Sequence, residues 1–418
     1  MSKSNYDKLA FVAVSGDVRE CAVGWEKIAA ELQRAIANCR TEKPILIVEC
    51  YPGVDEFAVL NELESRLAPT LTLRAADAYH PPKRIDKLVA PFLGRKDSGF
   101  GNSHGLCLVN FFDAEPLWRL RRAIDELKAG LVLIVGCGAS LIAWGHILIH
   151  ADLARREARQ RFQGNETSNL GVDNKSVPAN LKCERALAVD WHVADRWKRP
   201  LIKRWDYVLD TNDPSEPKLA EAEDVRRGLH AVARRPFRLV PSRDSDGKEK
   251  RSDRYFESAL DGNSLLLGFG DVRIEIPAID LFFNQPRALL GEAVYLRFRE
   301  EFPIHFDFPN KVNRFEPLAN GDGWREERAS LRDRAVIEVR RHWFSKTVAH
   351  DTRGGVNVLN LVEGDEAVVE SPSRTFEPFL VHRAETFIVP AAVGRYNIRP
   401  HGPSAGKEIA TIKAFVRT

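Results

Sequence analysis

Apolar residues recur at helical spacing over residues 23 to 40, where Ile28, Leu32 and Ile36 share a face, and Pro44 then introduces the unbroken apolar run Ile45 to Val48. This pattern predicts a helix feeding a buried strand. The run closes in Glu49-Cys50-Tyr51-Pro52-Gly53-Val54-Asp55-Glu56-Phe57, and helical spacing resumes at Val59, Leu60, Leu63 and Leu67. Strand, glycine-containing turn and helix is the layout in which backbone N–H groups and a helix N-terminus face an anion. Strand-like runs follow at Thr70 to Arg74, Gly105 to Phe111, Gly130 to Val135 and Trp205 to Leu209, with helical stretches at 116–129 and 147–162. The alternation predicts a parallel sheet covered on both faces.

The longest apolar run, Leu131 to Ile149, is broken by Gly136, Gly138 and Gly145 and carries His146, which predicts a buried strand and turn, not a membrane span. Gln163 to Lys182 is polar and reads as an exposed loop or lid, and Lys218 to Arg234 reads as a charged helix leading into Arg235-Pro236-Phe237, where the domain boundary is placed. Beyond it, Ser242 to Arg254 has the texture of a loop, Asn263 to Ile276 alternates as a strand, and Arg287 to Glu301 is the one helical stretch among short strands. The second half is therefore expected to be mostly β.

Composition narrows the classes. With 418 residues, 44% of them hydrophobic, the chain accommodates two or three packed domains. Lys and Arg total 62 against 59 Asp and Glu, a net +3, which argues against affinity for nucleic acid built on counterion release. Six cysteines lie in the first half with no C-x-x-C pair, as expected of thiols in a reducing compartment. The N-terminal MSKSNYDKLAFVAV lacks the pattern of a signal peptide, so a cytoplasmic protein is expected.

A working phosphate loop needs G-x-x-x-x-G-K-[ST], whereas here the loop offers Gly53 followed by Asp55 and Glu56, whose charge opposes a triphosphate. Asp77-Ala78-Tyr79-His80 after a strand, His150-Ala151-Asp152-Leu153-Ala154-Arg155-Arg156-Glu157-Ala158-Arg159, and Arg204-Trp205-Asp206-Tyr207-Val208-Leu209-Asp210 together resemble the uridine-kinase-like branch of P-loop kinases across residues 40–212. The resemblance implies phosphate binding by Gly53, Arg155, Arg156 and Arg159; the alternative for the arginines is a solvated helix face. His146 and His150 stand at i, i+4, a spacing that would put both on one helix face, with Asp152 turned away.

In the second half, Gly262 to Gly270, Gln285 to Gly291, Phe302 to Phe308, Val356 to Gly364, Ala384 to Ala392 and Arg399 to Pro403 are similar to bacterial class I mannose-6-phosphate isomerase-like proteins, which close in a cupin barrel. The hairpin Phe387 to Tyr396 has the style of that barrel. The resemblance implies aldose–ketose isomerisation of a sugar phosphate with a zinc ion as Lewis acid, held by His and Glu ligands. None of the eleven histidines stands in a Gln-x-His or His-x-His arrangement, and after Phe308 the ligand-bearing portion of the first barrel is missing from the pattern. His382, Glu385 and His401 are the best conceivable cluster, although alternation would put His382 and Glu385 on opposite faces, with Arg383 beside Glu385 as an ion pair. Arg340, Arg341 and His342 read either as a face for an acidic ligand or as charges protecting a strand edge.

The expectation is thus α/β plus all-β: a P-loop-kinase-like parallel-sheet domain over 1–234, degenerate in its phosphate loop, then a cupin or jelly-roll barrel domain over 235–418, truncated in its first barrel. The implied role is mannose-6-phosphate isomerase-like, in carbohydrate metabolism. Two alternatives stay open: a non-catalytic sugar-phosphate or nucleotide-binding protein, and a nucleoside or small-molecule kinase. The candidate residues are Gly53, Arg155, Arg156 and Arg159 for phosphate and His382, Glu385 and His401 for a barrel pocket, with no catalytic residue or metal ligand assigned. No cofactor is identifiable, zinc being what the resemblance alone implies. The expected partners are a sugar phosphate or nucleotide, with no nucleic acid and no membrane, and self-association is an open alternative.

Overall fold

The computed structural model describes residues 11–14, 20–93, 105–153, 155–238, 272–276, 279–283, 315–329, 337–383 and 385–416. Residues 20–228 belong to one compact unit; residues 229–238 and 315–416 belong to a second. No described helix is long and apolar enough to cross a membrane.

The first unit is built on β1 (Ala22–Val23), α1 (Trp25–Ala37), β2 (Ile45–Cys50), α2 (Glu56–Leu67), β3 (Leu71–Arg74), α3 (Pro82–Val89), α4 (Ala114–Glu126), β4 (Val132–Gly136), β5 (Ile147–Asp152), α5 (Arg155–Gln163), α6 (Ala179–Arg185), α7 (Trp191–Leu201), β6 (Tyr207–Asp210), β7 (Lys218–Glu221) and α8 (Ala222–Ala233). Its sheet runs β1-β7-β6-β5-β2-β4-β3. The five strands from β6 to β3 are parallel, while β7 joins β6 and β1 antiparallel. Every residue of β2, β4 and β5 is buried, the continuous apolar texture of parallel strands covered on both faces.

Three sequence expectations fail here. Gly105 to Phe111 is no strand: Leu108–Phe111 is a short 3-10 turn, and only Tyr79 bridges to Phe112. The stretch 147–162 begins as β5 and turns helical only at Arg155, because a short apolar run does not by itself distinguish strand from helix and β5 has partners on both sides. Lys218–Glu221 is likewise a strand, paired with β6, so the expected charged helix starts four residues later. The helix expected at Arg287 to Glu301, the loop at Ser242 to Arg254 and the motifs at 262–270, 285–291 and 302–308 lie outside the described residues.

The second unit comprises β8 (Phe237–Arg238), β9 (Phe315–Gly321), β10 (Trp324–Ala329), β11 (Ile337–Phe344), β12 (Val348–Asp351), β13 (Asn357–Glu363), β14 (Glu366–Glu370), β15 (Phe379–His382), β16 (Thr386–Val389), β17 (Arg395–Pro400) and β18 (Ile409–Val416). They form two antiparallel sheets, β9-β10-β11-β18-β13-β16-β8 and β12-β17-β14-β15. Alternation aims one face of each inward: in β17, Tyr396 and Ile398 are buried while Arg395 is exposed. Phe344, Leu359, Leu361, Val369, Phe387 and Ile409 form the heart of the shared core.

Gly53, at φ +110°, is the position in the first unit where the backbone itself is decisive. A Cβ there would sit 2.9 Å from that of Ala158, so α5 packs directly against this turn. Gly53→Ala should destabilise the protein by about 1–3 kcal/mol through the positive φ and the lost approach. Urea unfolding of the two proteins measures this.

Candidate functional site

In open parallel sheets the crevice beyond the strands' carboxyl ends, where the strand order reverses, is where ligands bind. Here β2 is central, and its end presents Glu49, Cys50 and the turn to Gly53. The turn after β4 offers its amides to that position. They are already taken. Glu49, fully enclosed, accepts from Gly138 N at 2.5 Å and from Ser140 N and Oγ at 2.9 and 2.5 Å. Glu56 accepts from Cys137 N at 2.8 Å, and Asp55 caps α2 by accepting from Ala58 N at 3.0 Å. The chain fills the anion positions with its own carboxylates. Burial raises the carboxyl of Glu49 and that of Glu56, the latter to about 7.

The remaining predicted phosphate residues are distributed differently. The Gly53 carbonyl accepts from Arg161 Nη1 at 3.2 Å, and Arg161 Nη2 also reaches Thr211 O at 2.5 Å. Arg161, passed over by the sequence motif, is therefore the arginine that ties α5 to this edge. Arg159 lies half-buried on α5, while the side chains of Arg155 and Arg156 are outside the described residues. Tyr79 of the acidic aromatic motif donates to Cys137 O at 2.6 Å, and His80 meets Asp113 at 3.2 Å. Gln163 to Lys182 is not simply an exposed lid: Asn169 and Lys182 are buried, and Asn169 Nδ2 donates to Asp190 at 2.6 Å.

Strand β5 overturns the helical reading of His146 and His150. His146 Nδ1 accepts from Ile45 N at 3.1 Å, whereas His150 and Asp152, two apart on one strand, share a face and contact at 3.2 Å. Lys198 of α7 completes the group with a short contact to Asp152, its ammonium 5.2 Å from the Tyr51 ring centre. Tyr51 in turn donates to Asp195 at 2.8 Å, and His150 stacks on Trp205 at 4.3 Å. Burial alone would raise Asp152, but Lys198 and His150 hold it down to about 2. Burial and Lys198 together lower His150 to about 4, so the imidazole is neutral and donates to Asp152 through Nε2. Only a space of about 10 Å³ lies beside this group. The first unit's charges are closed on one another.

The second unit is open. A cavity of about 700 Å³ is lined from β10, β11, β12, β17, β18 and the turn after β12. His342 and His350, both buried, stand with ring centres 5.1 Å apart and planes at 75°. Both ring nitrogens of His342 and Nε2 of His350 have no hydrogen-bond partner among the described residues. Burial lowers His342 to about 4 and also lowers His350, with Lys413 adding to both. Lys413 is 9% exposed, lines the same cavity and makes no ion pair among the described residues; burial pushes its ammonium down. Arg340, opposite Lys413 across the strand pair, is committed to Glu326 at 2.9 Å and to Glu338 at 2.5 Å, and Glu326 is the charge that most favours the Lys413 ammonium. Thus Arg340 and His342 do not protect a strand edge: β11 lies between β10 and β18. Arg341 pairs with Glu327 at 2.6 Å.

The sequence-predicted cluster forms, but elsewhere. His382 ends β15, a tight turn follows, and Glu385 Oε2 accepts from His382 N at 2.8 Å while Oε1 lies 3.3 Å from its Nδ1. That turn breaks the alternation expected to separate them. Glu366, not anticipated, joins both histidines, at 3.5 Å from His382 Nε2 and in close contact with His401 Nδ1. None of the four lines the cavity, which meets β17 at Arg395 and Asn397, whereas His401 follows its other end. Arg383 pairs with Glu363 at 3.6 Å, not with Glu385 as expected. No group of three or more His, Cys, Asp or Glu among the described residues is arranged to hold a metal ion, so these residues do not fit zinc.

The family described as Domain of unknown function (DUF8485) matches residues 24–234, half of the chain, and the chain belongs to it. No curated protein matches. Among solved structures, the chain is similar to a phosphomannose isomerase mutant from Salmonella typhimurium, at 14% identity over 25% of this chain and 23% of that one, with a TM-score of 0.20. It is also similar to ectoine synthase from P. lautus (12% identity, 23% of this chain and 67% of that one, TM-score 0.20). A cupin superfamily protein from Desulfitobacterium hafniense DCB-2 is similar at 12% identity over 24% of this chain and 84% of that one, with a TM-score of 0.19. The chain thus spans about a quarter of the length of the isomerase it matches.

Two outcomes follow from the buried groups. Asp152→Asn leaves Lys198 buried without its counter-charge and should cost about 3–5 kcal/mol in urea unfolding. His150 and His342 have folded pKa values below their unfolded ones, so the unfolded chain takes up protons first. Their contribution is complete above about pH 6.5 and is lost as pH falls towards 4, with a slope of up to about 1.4 kcal/mol per pH unit for each histidine. Urea midpoints measured from pH 7.5 to 5 should fall for the native protein and fall less for His342→Gln.

Proposed function

We propose that the second unit is a cupin-type barrel that binds a small anionic, hydroxyl-bearing molecule, a sugar phosphate, at its open mouth, and that the protein acts as a binding protein. One observation carries this reading: a buried ammonium without an ion pair among the described residues, Lys413, beside two neutral imidazoles with unpartnered nitrogens, on a cavity of about 700 Å³. Burying an ammonium is costly, and an anionic group seated there offsets that cost. Asn357, Asn397, Thr347 and Thr352 add the donors and acceptors that hydroxyls require, and Trp324 adds an aromatic face. Zinc-dependent isomerisation has less support, because no group of three or more His, Cys, Asp or Glu among the described residues is arranged to hold a metal ion.

In the first unit, the order β3-β4-β2-β5-β6 with the turn of Gly53 at the centre supports descent from a phosphate-loop protein. The carboxylates of Glu49 and Glu56, which take the amides of the turn after β4 beside it, favour a domain that no longer binds a nucleotide. Six free cysteines suit a reducing compartment such as the cytoplasm.

Mannose 6-phosphate at 100 times its Kd should stabilise the native protein by about 2.7 kcal/mol. Lys413→Met should abolish the effect in thermal unfolding. Absence of a shift across a panel of sugar phosphates would overturn the reading.

A further inference from the structure

We infer that ligand capture at the barrel mouth is proton-coupled: an anion seated by Lys413 draws protons onto His342 and His350 as it binds. This rests on the barrel-mouth reading above and concerns how that site is regulated. The geometry sets it up. His342 projects from β11 and His350 from β12, and both reach the same cavity as Lys413 of β18. The groups facing them make the cationic form unfavourable. Lys413 acts on both, Arg340 acts on His342 from its own strand, and each imidazole, once charged, repels the other. Opposing charge comes from Glu326 of β10, which lies across from His342 and is paired with Arg340. Around His350, Tyr396 of β17 stacks at 5.1 Å as a neutral ring, and Asp351 is 3.7 Å from Arg395. Arg353 also lines this side of the cavity.

A neutral imidazole has one N–H and one lone pair. Both nitrogens of His342 are unpartnered among the described residues, so an anion presenting only acceptor oxygens satisfies the N–H and leaves the lone pair orphaned. Taking a proton from solvent converts that lone pair into a second donor and places positive charge against the anion. Nearby negative charge raises an imidazole's pKa, and the buried setting strengthens the effect. Binding and protonation therefore assist one another, and affinity rises as pH falls, by up to tenfold per pH unit for each proton taken up.

The test uses the whole protein and two probes, mannose 6-phosphate and a hexose 6-sulfate ester whose own charge is fixed over the range. Isothermal titration between pH 7.5 and 6.0, in buffers of differing ionisation enthalpy, reads affinity and proton uptake together. The sulfate ester should bind at least threefold more tightly at pH 6.0, with a heat that varies with the buffer as uptake requires. Binding that changes less than threefold, with buffer-independent heat, would overturn the inference and leave the binding reading intact. Failure of both esters to bind at either pH would overturn the binding reading itself. His342→Gln and His350→Gln should each reduce the pH effect, read within each variant as the ratio of its affinities at pH 6.0 and pH 7.5. An undiminished effect in whichever variants fold would remove the assignment to these histidines, and the native protein's buffer dependence decides the coupling if neither folds.

Discussion

The carboxylate of Asp152 is the point on which the first unit's architecture turns. It is enclosed at the end of β5, and Lys198 and His150 hold it ionised there. Through Lys198 it fixes α7 over the sheet. Thr211, at the end of the neighbouring strand, donates to its backbone carbonyl at 2.9 Å. A charge so far from water persists only where its neighbours complete it, so strand, helix and following loop are constrained together. The wide π turn at Ala186–Asp190 that leads into α7 fits the same demand, since it delivers a helix carrying Asp195 and Lys198 towards Tyr51 and Asp152.

Two buried polar groups, one in each unit, are completed to different degrees. In the first, Glu49 and Asp152 are saturated by amides, hydroxyls and an ammonium from the same chain, and almost no space is left. In the second, an ammonium and two imidazoles face a large cavity without such closure among the described residues. Saturated networks stiffen a fold, whereas unsaturated ones gain by taking in a ligand.

Much of the fold was legible because its signals are local. Ile45 to Val48, Gly130 to Val135 and the helical spacing of Ile28, Leu32 and Ile36 became β2, β4 and α1. Ile147 to Asp152 was misread because an apolar run beside a helix carries no period of its own, and Lys218–Glu221 because four residues paired on both sides look like a helix start. The candidate site was less legible. Gly53 was visible, but its role in receiving α5 was not. His382 and Glu385 meet across a turn and Glu366 contacts both histidines, and neither the turn nor Glu366 could be read from strand alternation. One signal went unused: Lys413 has the same parity as Ile409 and Thr411 on one strand, and a lysine at such a buried position is uncommon.

The two-residue strand Phe237–Arg238 closes the outer side of β16 by pairing with Phe387 and Ile388. Its small size conceals what its loss would expose. A fragment begun after Arg238 would carry Thr386–Val389 as a bare edge, with an apolar sequence and unpaired backbone groups. Such edges recruit other strands. Isolating these two sheets therefore means keeping Phe237, and the solubility of a shorter piece would report on strand exchange and not on the sheets' capacity to fold.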